Sequence, residues 1–178
     1  MFGLALARIL TGLLFVGHGT QKLFGWFGGH GPEGTGQFME ALGLRPGRRQ
    51  ALTAGTSETV GGALLALGAL TPLATTLITA AMETAIRTAH AGKGPWISEG
   101  GWEYPAVIMA GLFALTETGP GPLSVDEALN LPLHGTGWAL AATGAGIAGA
   151  EANLVVARAE APAPAEAPAP APAPTPAS

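Results

Sequence analysis

The sequence predicts an all-α, polytopic membrane protein: a four-helix transmembrane bundle, then a probable fifth helix and a disordered tail of alanine and proline. Only 11% of the 178 residues are charged, against about 25% in an ordinary soluble domain. Mean hydropathy is +0.36 with the tail included. Apolar segments of roughly twenty residues recur along the chain, and each is long enough for the ~30 Å hydrocarbon core of a bilayer.

Charge and cysteine content exclude several classes of function. The net charge is -4 and the 8 basic residues are dispersed, so no nucleic-acid surface is predicted. The chain has no cysteine, which excludes its own thiol chemistry and cysteine-ligated clusters. No metal site and no covalently bound cofactor are expected, and any redox role must use another carrier.

Residues 4–25 (LALARILTGLLFVGHGTQKLFG) predict the first membrane span. Arg8, His18 and Lys22 fall on one stripe of this helix, bordered by glycines, and the stripe should face other helices. The alternative is that Arg8 and Lys22 extend to the two membrane surfaces. A cleaved signal peptide is not expected, because no basic region precedes the apolar run and no small-residue cleavage site follows it.

Residues 26–50 are rich in glycine and end in a basic cluster, which indicates a surface loop. Within it, residues 38–42 fit a short amphipathic turn lying on the membrane surface. The second span covers residues 51–70, and its one strongly polar group is Glu58. Glycines share the face of Glu58 and permit close helix packing, so Glu58 is expected to point into the bundle.

The third span covers residues 73–90 and carries Glu83, Arg87 and His90 on one face. Because Glu83 and Arg87 are four residues apart, they could simply neutralise each other. A glycine-rich loop with two tryptophans follows, and tryptophan is typical of headgroup depth.

The fourth span covers residues 103–119 and begins with Glu103 and Tyr104. Residues 136–157 are a weaker fifth span, since alanine and glycine favour the bilayer less than leucine does. A partly inserted helix is the alternative there. In residues 159–178 alanine and proline largely alternate. Because proline has no backbone N–H, this pattern excludes helix and sheet and predicts an extended, disordered spacer.

Several motifs occur in a characteristic order: GHGTQKLFGWFGGHGPEGTGQFMEALGL from Gly17, ETVGG from Glu58, HAGKGPW from His90, GGWEY from Gly100 and GPGPLSVD from Gly119. Together they closely resemble the DoxX family of small bacterial membrane proteins. The resemblance covers residues 4–128 and suggests three regions: a four-span domain at 1–128, an additional apolar helix at 129–158 and the tail at 159–178.

The resemblance implies a four-helix bundle in the bacterial cytoplasmic membrane. The family takes its name from a component associated with a quinol oxidase, and relatives are linked to membrane oxidoreductase complexes and oxidative stress. It therefore implies a possible quinone and partner subunits from an oxidoreductase. For most members the activity is unassigned, so the resemblance leaves open whether the chain is itself an enzyme.

Antiparallel spans joined by short connections allow the depths of polar residues to be compared. We call the end of the bundle at Lys22 the lower face and the opposite end the upper face. Polar groups from four spans are expected near the lower face, which we call the lower cluster: His18, Lys22, Glu58, Arg87, His90, Glu103 and Tyr104. Glu58 should pair with Lys22 or His18. Near the upper face, Arg8 and Glu117 are expected to form a structural pair.

The lower cluster is consistent with two classes of function. In the first, a quinol-type head group or a small acid binds among Lys22, Arg87 and His90, with further ligand contacts from Glu103 and Tyr104. Glu58 and His90 would then exchange protons, and His18 completes the candidate catalytic residues. In the second, the charges hold the helices in register or line a path for a small solute, as in a scaffold or transport protein.

The basic residues predict the orientation of the chain. Seven of them fall at the lower face if there are five spans, and only Arg8 lies near the upper face. By the positive-inside rule the lower face is cytoplasmic, with the N-terminus outside and the C-terminus inside. Besides the lipid bilayer, a second copy of the chain is an open possibility as a partner.

Overall fold

A computed structural model describes residues 2–159, and this part of the chain is helical with no strand. The helices are α1 Phe2–Phe24, α2 Gly31–Ala41, α3 Gly47–Leu67, α4 Thr71–Ala85, α5 Glu103–Thr118, α6 Val125–Ala128 and α7 Thr136–Ala159. The predicted all-α fold is confirmed. Beyond Ala159, the predicted disordered tail lies outside the described residues.

The five predicted spans correspond to α1, α3, α4, α5 and α7. Helix α4 continues from Ala85 into one π-helical turn, Ile86–His90, so the helical path reaches His90 as the sequence predicted. Two helices of the described chain, α1 and α7, are both long enough and apolar enough to cross a membrane. Helices α4 and α5 are shorter, with 15 and 16 residues.

Helix α2 corrects the prediction of a loop over residues 26–50. Proline in its first turn costs no hydrogen bond, and Glu33 there interacts favourably with the helix dipole. Its glycines serve close packing, because the backbone of Gly36 lies directly against Gly47 at the start of α3. Arg48 Nε lies 2.9 Å from Glu33 Oε1, and this hydrogen bond lowers the pKa of Glu33 below its ordinary value.

Glycines bring the backbones of α1 and α3 into direct contact. A Cβ added at Gly12 would lie 2.5 Å from the carbonyl oxygen of Gly62 and 2.5 Å from the amide nitrogen of Ala66. Further along α1, a Cβ at Gly19 would lie 2.6 Å from the carbonyl oxygen of Gly55. No side chain fits between the two helices at these points, so the helices approach as closely as in small-residue membrane contacts.

Helices α3 and α4 form the centre of the bundle. Helices α1 and α2 pack on α3, while α5 and α7 pack on α4. The buried core between them contains Phe15, Leu65, Ile78, Leu112 and Leu115. Helix α7 meets α4 through small residues: a Cβ at Gly146 would lie 2.7 Å from the Cβ of Thr79.

Contacts at the two ends show that the long helices alternate in direction. At the lower face, Asn153 Nδ2 donates to Gln50 Oε1 at 2.8 Å, and the amide of Arg45 donates to the carbonyl of Ala157 at 3.1 Å. At the upper face, the amide of Gly135 donates to the carbonyl of Thr116 at 3.1 Å. The start of α3 therefore lies beside the end of α7.

The predicted pair of Arg8 and Glu117 is wrong. Arg8 is 2% exposed, and its guanidinium donates to the carbonyls of Ala66 at 3.0 Å, of Leu65 at 3.4 Å and of Leu123. Glu117 is exposed and accepts a hydrogen bond from Thr136 Oγ1 at 2.8 Å. Arg8 lies here because the last carbonyls of α3 have no partner within their own helix.

Asp126 binds the start of α4, next to the end of α3 that Arg8 binds. Its carboxylate is 1% exposed and accepts hydrogen bonds from the amide of Leu70 at 2.7 Å, the amide of Thr71 at 2.9 Å and the hydroxyl of Thr71 at 2.6 Å. These amides are the unpaired donors at the start of α4. We call Arg8, Asp126 and the turn between α3 and α4 the upper clasp.

The contact between α1 and α3 gives a first prediction. Gly12→Ala should lower the stability of the protein in detergent by about 1–3 kcal/mol, because the added methyl meets backbone atoms that cannot move aside. Gly17→Ala is the matched control, since a Cβ at Gly17 has nothing within 4 Å. Thermal unfolding followed by circular dichroism measures both. Equal melting temperatures for the two variants would contradict the contact.

Candidate functional site

Lys22 and Glu58 form an ion pair between α1 and α3. Lys22 Nζ lies 2.6 Å from Glu58 Oε2, and the two side chains are 22% and 9% exposed. The close approach of the glycine faces allows the lysine to reach across. The predicted pairing of Glu58 with Lys22 is therefore present. The imidazole of His18 is exposed, and only its backbone carbonyl contacts Lys22 Nζ, at 3.3 Å.

The ammonium group of Lys22 keeps one donor for a ligand. An ammonium has three N–H groups. Two of them donate to Glu58 Oε2 and to the carbonyl of His18. Lys22 also lines a surface pocket.

This pocket lies at the lower face between the end of α1, the turn after it and α2. Its volume is about 440 Å³, within the range of small-molecule sites. Its walls combine bare glycine backbone, one aromatic ring and several hydrogen-bonding side chains. The lining residues are Gln21, Lys22, Gly28, Gly29, His30, Gly34, Thr35 and Phe38.

The glycine-rich turn after α1 shapes the pocket wall. Phe27 has φ 52° and ψ 35°, a left-handed conformation that costs energy for a residue with a side chain. Gln21 Nε2 donates to the carbonyl of Phe27 at 3.3 Å. A Cβ at Gly29 would lie 2.5 Å from the Cα of Gln21, so the turn folds directly onto α1. Gln21 therefore holds the turn against the helix that carries Lys22.

Aromatic side chains surround the same turn. Phe24, Trp26 and Phe27 are 60%, 56% and 76% exposed. The rings of Phe24 and Trp26 are 5.1 Å apart, and those of Trp26 and Phe27 meet edge to face at 6.4 Å. Exposed aromatic residues at the end of an apolar helix are typical of the membrane interface. These aromatic residues lie in and beside the turn that carries Gly28 and Gly29 of the pocket wall.

The other members of the predicted lower cluster have partners of their own. Arg87 Nε lies 2.9 Å from Glu151 Oε1 on α7, so Arg87 forms an ion pair across helices, whereas the sequence had offered Glu83 in the same helix as an alternative partner. His90 Nδ1 lies 2.7 Å from the carbonyl oxygen of Gly100. Glu103 accepts a hydrogen bond from the amide of Ile97 at 2.7 Å. These contacts fix the loop between α4 and α5.

The lower cluster is thus divided in the described chain. Within residues 2–159, no hydrogen bond or ion pair joins Lys22 or Glu58 to Arg87, His90 or Glu103. Tyr104 is 59% exposed. Of the predicted cluster, Lys22 lines a ligand-sized pocket, and Glu58 is its ion-pair partner.

Sequence reasoning missed the other residues of this pocket. It treated the region of His30 and Thr35 as a loop, because glycine usually marks turns, and it predicted only a short amphipathic turn from Phe38. It also missed Glu151 as the partner of Arg87, although the sequence already placed both near the lower face. In the part of the chain that the structure describes, no group of three or more histidine or acidic residues could hold a metal ion.

A family model for DoxX matches residues 3–91, which is half of the chain. The chain belongs to the DoxX family. The match runs from α1 through the π turn after α4 and includes Lys22, Glu58 and Arg87. It ends before residue 128, so α5, α6 and α7 lie outside the matched region. No curated protein and no solved structure matches the chain significantly.

Membership of the DoxX family and the two long apolar helices make this a membrane protein. The upper clasp ties the matched region to the helices after it. Leu123 and Asp126 lie beyond residue 91, yet they bind Arg8 and the start of α4. The matched helices therefore need the segment after α5 to satisfy their polar groups.

The ion pair gives a second prediction. Glu58→Gln should lower stability in detergent by about 3 kcal/mol, near the low end for a buried pair because Lys22 keeps some contact with solvent. Adding Lys22→Met should restore part of this loss, since no unpaired ammonium remains. Thermal unfolding of both single variants and the double variant measures the coupling between the side chains. Strictly additive losses would show that the contact contributes nothing.

Proposed function

We propose that this DoxX-family protein is the membrane component of an oxidoreductase system and binds a quinone-type head group in the pocket beside Lys22. The observation that carries this proposal is a ligand-sized pocket lined by Lys22, whose ammonium has one N–H group beyond its two hydrogen bonds to the protein. The sequence alone placed the ligand among Lys22, Arg87 and His90, whereas this proposal places it between Lys22 and α2.

The chemistry of the pocket suits a flat ring with carbonyl oxygens. Lys22 Nζ, an imidazole nitrogen of His30 and the hydroxyl of Thr35 can each donate a hydrogen bond to such an oxygen. Phe38 offers an apolar ring surface, and aromatic rings pack favourably on one another. The glycines of the wall let a ring approach the backbone closely.

The ion pair offers a way to handle protons. Reduction of a quinone consumes protons and oxidation of a quinol releases them. A carboxylate bound to the ammonium of a pocket residue can accept or return a proton without creating an isolated charge in the bilayer. Glu58 is thus the proposed proton-exchanging group, and Lys22 positions the ring oxygen.

Partner subunits complete this proposal. The chain has no cysteine, so it cannot itself use a dithiol as the second electron carrier. We place that carrier on an oxidoreductase subunit that contacts the lower face, where the pocket opens.

A scaffold or a small-solute transport protein is the second candidate, and one observation favours it. Lys22 and Arg87, two cations of the predicted cluster, are each paired with a carboxylate. Paired charges can simply hold helices in register. In that case the pocket stays without a ligand and the partner performs all redox chemistry.

We further propose that α1, α3, α4 and α5 form the four-span bundle and that α7 crosses as a fifth span. The alternating helix directions support this arrangement. The membrane is then the bacterial cytoplasmic membrane, with the lower face in the cytoplasm because most basic residues lie there. The N-terminus would be outside.

Quinone binding gives the third prediction. Titrating the purified protein with a short-chain ubiquinone should quench tryptophan fluorescence, because Trp26 lies in the same short turn as Gly28 of the pocket wall. His30→Leu should weaken binding about tenfold, the effect of losing one hydrogen bond worth ~1.4 kcal/mol. His134→Leu is the matched control, since His134 is exposed and lies near Gly119 at the upper face.

Solvent extraction of the protein as purified completes this experiment. A bound quinone in the extract supports the proposal. An extract without quinone, together with quenching that is equal for wild type and His30→Leu, would reject it and leave the scaffold.

A further inference from the structure

An apolar groove separates α1 from α5 in the half of the bundle nearer the upper face. Leu4, Ala7 and Thr11 form its α1 wall, the segment 107–118 of α5 supplies the other wall, and Leu65 of α3 also lines it. Its volume is about 480 Å³. Within residues 2–159, no charged side chain lines this groove. It therefore suits an apolar ligand, or the apolar part of a larger one.

The dimensions of the groove restrict the shape of that ligand. The α5 segment along it is about 16 Å long at 1.5 Å per residue. Spread over this length, the volume gives a mean cross-section of about 30 Å². A helix with its side chains is about 10–12 Å wide, so a helix from another chain does not fit. One flexible hydrocarbon chain does.

Small residues on α5 keep the groove open. Gly111 and Ala114 line it, and a Cβ added at Gly111 would have nothing within 4 Å. The neighbouring Leu112 and Leu115 also belong to the buried core. A larger side chain at position 111 would therefore fill the groove without displacing the core.

One face of α1 connects the groove with the pocket at the lower face. Thr11, Leu14, His18 and Lys22 follow each other at spacings of three or four residues, so they share this face. Thr11 lines the groove and Lys22 lines the pocket, about 16 Å apart along the helix axis. Between them, Leu14 and His18 are exposed. A chain attached to a head group beside Lys22 can therefore follow this face into the groove.

We propose that the groove binds the isoprenoid tail of the quinone whose head group occupies the pocket beside Lys22. This inference rests on the proposed function and adds a second binding site for the same ligand. Only a tail longer than about 16 Å reaches the groove, so the site favours long-chain quinones. The gain comes from packing contacts, because a tail in the bilayer is already surrounded by hydrocarbon.

The experiment compares a short-chain ubiquinone, whose tail ends before the groove, with a long-chain ubiquinone. Both are titrated into the full-length protein in lipid nanodiscs, and binding is followed by tryptophan quenching. Gly111→Phe fills the groove and should weaken long-chain binding about tenfold, through the lost packing of the tail. It should leave short-chain binding unchanged. Comparing proteins for each quinone separately cancels the different partitioning of the two quinones into lipid.

Gly144→Phe is the matched control for this variant. Gly144 is an exposed glycine of α7 outside the groove, and a Cβ there also has nothing within 4 Å. It should bind both quinones as the wild type does. Ala7→Phe fills the groove from the α1 wall, where Ala7 is exposed, and replaces Gly111→Phe if that variant does not fold. Melting temperatures show which variants are folded.

Two results would overturn the proposal, and they are distinguishable. If a folded groove variant binds the long-chain quinone as tightly as the wild type, the tail does not occupy the groove, as expected if a phospholipid chain fills it. Short-chain binding that still weakens in His30→Leu would then leave the head-group pocket intact. If the wild type binds neither quinone, the proposed function fails and the tail site fails with it.

Discussion

The turn between α3 and α4 joins the two halves of the bundle, and buried side chains from other segments bind its backbone polar groups. The C-terminus of α3 carries unpaired carbonyls and the negative end of its helix dipole. The N-terminus of α4 carries unpaired amides and the positive end of its dipole. Arg8 satisfies the first set and Asp126 the second. Because α1 and α2 pack on α3, and α5 and α7 on α4, the geometry of this clasp determines how both halves meet.

The lower face is held together differently from the upper clasp. There the ends of the helices are joined by side-chain pairs, Lys22 with Glu58 in one half and Arg87 with Glu151 in the other. Each pair bridges two helices, so a molecule that bound to either pair would act on helix packing directly.

The order and ends of the long helices were predictable from sequence, because apolar length and polar boundaries determine them. The pair Lys22–Glu58 was also predictable, since glycine faces bring the helices that carry them together. Arg8 was assigned to Glu117 because a sequence identifies charged side chains as partners but does not show which backbone carbonyls are free to accept a hydrogen bond. The helix that carries Thr35 and Phe38 was missed because glycines that allow close packing look like those of a loop.

The central claim is that five helices cross the membrane in alternating directions. The natural chain has no cysteine, so each single-cysteine variant carries one thiol. Ala41→Cys, Glu99→Cys, Leu129→Cys and Arg158→Cys place it in exposed positions at the end of α2, before α5, after α6 and near the end of α7. An impermeant maleimide added to intact cells should label only the Leu129 variant. Labelling of the Arg158 variant, or of the Ala41 and Leu129 variants alike, would contradict the claim.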